Sequence, residues 1–132
     1  MKIIADLHIH SKYSRATSRD MEVGTLARYA GMKGIDLLGT GDFTHPQYFA
    51  ELRAALEPLG NGLFSLKKGV SHHFPPWVDA PLAYRKMVTD PFFMLTAETS
   101  HIFSVKGKTK RVHVILFAPS LEAGEKINRQ LA

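Results

Sequence analysis

Asp6, His8 and His10 alternate in the segment Asp6-Leu7-His8-Ile9-His10, at the end of a run that is otherwise mostly apolar from Met1. On a β-strand successive side chains face opposite sides, so these three share one face, with neighbours about 7 Å apart. Two imidazoles and a carboxylate on one face are donors suited to a divalent metal ion. Two His at i and i+2 alone are a weak signal, and the weight of this one depends on what else the fold brings to it. The chain has no cysteine, which excludes disulfides, thiolate metal sites and a Cys nucleophile. Any metal site here is therefore built from His, Asp and Glu.

The elements that must position these residues can be read from pattern. Ile3, Ile4, Ala5, Leu7 and Ile9 suggest a buried first strand over residues 2–10. Residues 11–19 form a polar loop, and Asp20 is placed to cap a helix over about 21–33 that ends at Gly34. Residues 35–40 read as a second strand, and residues 46–56 as a helix with Pro46 in its first turn. Asn61-Gly62 is a turn before a short segment over 63–66. Residues 69–91 are Pro-rich and irregular, read as an insertion. A strand over 92–97 leads to Glu98, a Lys106-Gly107-Lys108 turn follows, and residues 112–117 form another strand. Residues 120–131 read as a helix capped by Ser120. Strands alternating with helices indicate an α/β architecture, taken as a single domain over 1–132.

In α/β folds, sites gather where strands end. Strand one ends in His8 and His10. The second strand ends in Gly41-Asp42-Phe43-Thr44-His45, and the strand from Phe92 is expected to end at Glu98. His113 heads its strand instead of ending it. If the Lys-Gly turn closes a hairpin, His113 returns to the rim of Glu98, and this depends on the hairpin register.

These segments resemble the PHP (polymerase and histidinol phosphatase) superfamily, and within it the endonuclease Q branch. The similar text is Ala5-Asp6-Leu7-His8-Ile9-His10-Ser11, Gly39-Thr40-Gly41-Asp42, Leu95-Thr96-Ala97-Glu98 and Arg111-Val112-His113. The resemblance implies a distorted (β/α) barrel, here partial and lacking its C-terminal strands. It implies a cluster of metal ions and hydrolysis of phosphate esters, with cleavage of DNA beside deaminated bases such as uracil or hypoxanthine in that branch. By the same resemblance His8, His10, Asp42, Glu98 and His113 are metal ligands, with Asp42 and Glu98 also assigned to catalysis. His45 is either a further ligand or a rim residue, because Phe43 stands where many PHP proteins carry a histidine. The family's late Asp-x-His motif is missing, since no aspartate follows Asp90. The chain therefore reads as the N-terminal portion of such a protein, with a further C-terminal portion expected and slow turnover alone.

Zn or Mn suits neutral imidazoles and carboxylates, and Mg is an alternative. Asp6 either orients His8 or bonds backbone groups. A net charge of +5 favours an anionic partner, DNA above all. Lys12 and Arg15 in the loop after His10, and Lys108 and Arg111 on the hairpin, are candidate phosphate contacts, the hairpin cations being equally well a solvated tip. His72-His73 reads as a solvated pair and His101 as a non-ligand. Phe74, Trp77 and Tyr84 either stack on bases or pack the long loop. No stretch approaches a membrane span, and a cytoplasmic enzyme is expected. The rival readings are a PHP-type phosphatase acting on a small phosphate ester, and a truncated non-catalytic domain that binds metal or nucleic acid.

Overall fold

The computed structural model describes residues 1–70 and 89–132. The order of elements is β1 (Ala5–Asp6), α1 (Val23–Met32), β2 (Leu37–Gly39), α2 (Pro46–Ala55), β3 (Leu56–Gly60), β4 (Leu63–Leu66), β5 (Phe92–Val105), β6 (Lys108–Ala118) and α3 (Leu121–Leu131). The strands make one six-stranded mixed sheet in the order β1-β2-β5-β4-β3, with β6 on β5. β1, β2 and the start of β5 run parallel, while β4 and β6 pair β5 antiparallel. The architecture is thus mixed α/β, and among the described residues β1 and β3 end the sheet path.

The core sits on one face of this sheet. Phe93, Leu95 and Ala97 alternate along β5 and are buried with Ala27 and Ala30 of α1 and Tyr48 and Leu52 of α2. α3 approaches through Gly124, where an added Cβ would lie 3.0 Å from Phe49 and 3.6 Å from Leu95. The intervening residues of β5, Thr96, Glu98 and Ser100, belong to the other face. Burial on one side of the strand thus leaves a carboxylate on the side away from the helices.

Several elements differ from their sequence reading. The first strand is only Ala5–Asp6, and Ile3 and Ile4 are about half exposed. Among the described residues the first strand pairs with β2 alone and ends the sheet path. Asp20 does not cap α1. The cap position is Glu22, without a side-chain cap bond, and Asp20 instead accepts from the Ser18 hydroxyl. β5 does not end at Glu98 but continues seven residues beyond it, to Val105. Its extension pairs in unbroken register with β6, from Leu95 opposite Ala118 to Val105 opposite Lys108. Lys106 and Gly107 both have positive φ, 50° and 73°, the backbone of a two-residue hairpin turn that matches strand twist. Residues 99–105 are largely exposed, so no burial pattern marked them as strand. β3 was hidden by Pro58, a residue that sheet edges tolerate.

Other elements fall where pattern placed them. Pro46 opens α2, and the Ser120 hydroxyl accepts from the Ala123 N–H at the start of α3. His72, His73, Phe74, Trp77 and Tyr84, with most of the Pro-rich stretch, lie outside the described residues.

Candidate metal centre

Two glycines bring the strand ends together. A Cβ on Gly39 would lie 2.6 Å from the Thr96 hydroxyl and 2.7 Å from the Leu7 carbonyl oxygen. One on Gly41 would lie 2.5 Å from the Ile9 carbonyl oxygen, and Gly41 also needs its φ of +66°. Only glycine lets the backbone of residues 7–9 pass this close to β2. Thr40 and Thr96 then lock β2 to β5. The Thr96 N–H donates to the Thr40 hydroxyl at 3.1 Å, and the Gly41 N–H donates to the Thr96 hydroxyl at 3.0 Å. His8 and His10 are thereby held over Glu98, some ninety residues later in the chain.

Glu98 is the hub. Its Oε2 lies 3.0 Å from His8 Nε2 and 3.4 Å from His10 Nε2, and its Oε1 meets His113 Nδ1. One carboxylate therefore faces two imidazoles with one oxygen and a third with the other. The hydrogen bond from His8, with the charges of His113 and His8, holds the Glu98 carboxyl below its ordinary range despite partial burial. His113 reaches the hub because the hairpin register sets it opposite Ser100, on the face that carries Glu98. Ligand atoms of His8, His10 and Glu98 lie within 4.8 Å of one another. Two imidazoles and one carboxylate so placed could hold a metal ion.

Asp42 is used differently. Its Oδ2 accepts the Ser11 N–H, the Ser11 hydroxyl and the Ser14 hydroxyl, each at 2.7 Å. Its Oδ1 lies 3.4 Å from His10 Nδ1. Burial raises the Asp42 carboxyl, but the bonds from Ser11, Ser14 and His10 outweigh it and leave the group below its ordinary range. Among the described residues Asp42 is not part of the His8–His10–Glu98 group. It braces the far nitrogen of His10, leaving Nε2 toward Glu98, as partners of metal-binding histidines commonly do. Asp42 itself has φ +42°, a left-handed conformation that Asp tolerates better than most residues.

The remaining candidates divide. His45 caps α2, its Nδ1 accepting from the Tyr48 N–H at 3.4 Å, and it stacks on Tyr13 at 4.2 Å. Lys12 sits between Glu22 and Glu51, at 3.1 and 3.0 Å, so its charge is already answered. Arg15 borders a cleft of about 470 Å³ that also contains His10, Asp42, Glu98 and His113. Arg111 is on the His113 face of β6, and Lys108 is on the opposite face by strand alternation. His101 also lies on that opposite face and bonds the Thr99 hydroxyl at 2.9 Å. Sequence reading passed over Ser11 and Ser14, although Ser11 is fully buried. Their only signal was position, directly after His10 in a segment read as a polar loop. A larger cavity of about 540 Å³ lies between α2 and α3, lined by Phe49, Arg53, Glu125 and Asn128, and no histidine among the described residues borders it.

The mixed α/β fold has counterparts among solved endonuclease structures. It is similar to the lesion-specific endonuclease PfuEndoQ of Pyrococcus furiosus, with 27% identity and a TM-score of 0.65 over 97% of this chain. It is likewise similar to endonuclease Q in complex with a 27-mer duplex substrate bearing an abasic lesion at the active site, at 29% identity and a TM-score of 0.65 over 96% of this chain. The chain spans 25% of the length of each of these structures. An uncharacterized protein of Methanocaldococcus jannaschii is 50% identical over 48 residues, 36% of this chain and 6% of that protein. No protein-family model matches the chain.

Proposed function

We propose that this chain is the metal-binding segment of a PHP-type, endonuclease Q-like nuclease that hydrolyses DNA beside deaminated bases. The observation that carries the reading is Glu98, with one oxygen toward His8 and His10 and the other toward His113. A carboxylate so divided suits a cluster of more than one cation, as the resemblance to the PHP superfamily implies. His8, His10, Glu98 and His113 would hold the metal. A divalent cation bound there supplies a lowered water pKa and neutralises charge building on phosphate oxygens. Asp42 fixes the His10 ring, and Ser11 and Ser14 fix Asp42. Arg15, beside the same cleft, is placed to meet a phosphate oxygen. A distorted barrel, completed by further chain, is the architecture this reading implies.

Two measurements test it. Isothermal titration of the chain with Mn or Zn is expected to show binding that His8→Ala and Glu98→Gln abolish. Duplexes containing uracil, hypoxanthine or no lesion are then offered to a polypeptide that carries this segment within the full length of its structural neighbours. Lesion-dependent, metal-dependent nicking that His8→Ala removes is the expected result. Absence of nicking with every metal sinks the nuclease reading, and release of inorganic phosphate from small esters would favour a phosphatase.

A further inference from the structure

The β5–β6 ribbon beyond Glu98 has two faces of different chemistry. Ser100, Ile102 and Ser104 of β5, with Thr109, Arg111 and His113 of β6, share the face of Glu98 by register. Thr99, His101, Phe103 and Val105, with Lys108, Lys110, Val112 and Val114, share the other. Residues 99–114 include Lys106, Lys108, Lys110 and Arg111 and no acidic residue. Arg111 is exposed and stands opposite Ile102, two residues along the strand from His113. That spacing sets it about 7 Å further out on the same face.

We propose that the Ser100–Arg111 face of this ribbon is a track for one nucleic-acid strand leaving the metal centre, with Arg111 gripping a backbone phosphate. The proposal rests on the reading of the site as a nuclease centre. Charge complementarity selects the partner, because residues 99–114 carry four cations and no acidic residue and the polymer is uniformly anionic. Continuity selects the face. Ser100 and His113 border the same cleft as Glu98, so a strand in that cleft meets Ser100 and then Arg111 as it leaves. The planar guanidinium holds a phosphate through two N–H donors. Lys108 and Lys110 carry equal charge but sit on the wrong side of the ribbon.

That difference makes the test. Fluorescence anisotropy of a labelled, lesion-free duplex is followed against salt with the intact chain, in chelator so that no metal takes part. Arg111→Gln is expected to weaken binding several-fold and reduce the slope of log affinity against log salt by about 0.9, one phosphate contact. Arg111→Lys is expected to keep the slope, while Lys108→Gln and Lys110→Gln leave both readings near those of the parent. Equal losses in Arg111→Gln and Lys110→Gln, meaning diffuse charge attraction only, overturn the track. So does an Arg111→Gln variant indistinguishable from the parent, or a parent chain that binds no DNA. Mn or Zn titration is run beside it. Loss of metal binding with the Arg111 effect intact would overturn the nuclease-centre reading and leave the track standing.

Discussion

At the scale of single residues, Asp42 is a carboxylate held in place by its neighbours. Three hydrogen bonds converge on Oδ2 and one group on Oδ1, so little of the side chain is left for a ligand role. Asp42→Asn is expected to lose about 1.5–3 kcal/mol of stability, the range for bonds to a charged partner. It should also weaken metal affinity about 10–100-fold, as loss of such partners typically does. The pH response follows in sign. The folded-state carboxyl titrates below its ordinary 3.8, so its contribution is complete above that value and vanishes as pH falls through the folded one. Urea midpoints in chelator should therefore drop as pH falls below about 3.8 in the parent and less steeply in Asp42→Asn. Residue types at this scale were legible: His8, His10, Glu98 and His113 announce donors. What each does was not. Alternation along a strand does not show which partners a side chain takes, and the bonds from Ser11 and Ser14 to Asp42 could not be read from it.

At the scale of elements, the close pass of residues 7–9 over β2 carries the site. Gly39→Ala introduces a Cβ into backbone and hydroxyl atoms 2.6–2.7 Å away. It should cost about 1–3 kcal/mol, the range for overpacking, and lower metal affinity too, since His8 and His10 are moved off Glu98. Urea titration and metal titration on the same sample check both. Caps give a second comparison. Ser120→Ala should destabilise by about 0.5–2 kcal/mol, whereas Asp20→Ala should change little, because α1 takes no side-chain bond from it. Thermal unfolding of the two variants separates them. α2 and α3 were readable because Pro46 and Ser120 mark helix starts by mechanism. The far half of β5 was legible only through the hairpin that the Lys-Gly turn suggests between Ile102–Val105 and Arg111–Val114, because residues 99–105 are largely exposed and carry no burial pattern.

At the scale of the whole molecule, apolar surface is left open. Ile3 and Ile4 flank the edge strand β1 and are 56% and 48% exposed, and Phe92 is 51% exposed. An open edge beside apolar side chains is a template for pairing with another chain. The chain alone is expected to self-associate with rising concentration, and Ile3→Lys with Ile4→Glu to suppress this, as read by sedimentation velocity. No helix among the described residues is long and apolar enough to cross a membrane.

β5 belongs to two assemblies at once. Phe92 to Met94 pair with β2, and Phe93 also with β4, while residues from Leu95 onward pair with β6. Stiffness therefore changes along a single strand, and Glu98 sits near the boundary. Amides up to Ala97 lie under the core and should exchange with deuterium only on global unfolding. Those from Ser100 outward, held by one partner and bathed on both faces, should exchange through smaller openings. The hub carboxylate thus stands where a rigid floor meets a compliant arm, with His8 and His10 on the floor side and His113 on the arm.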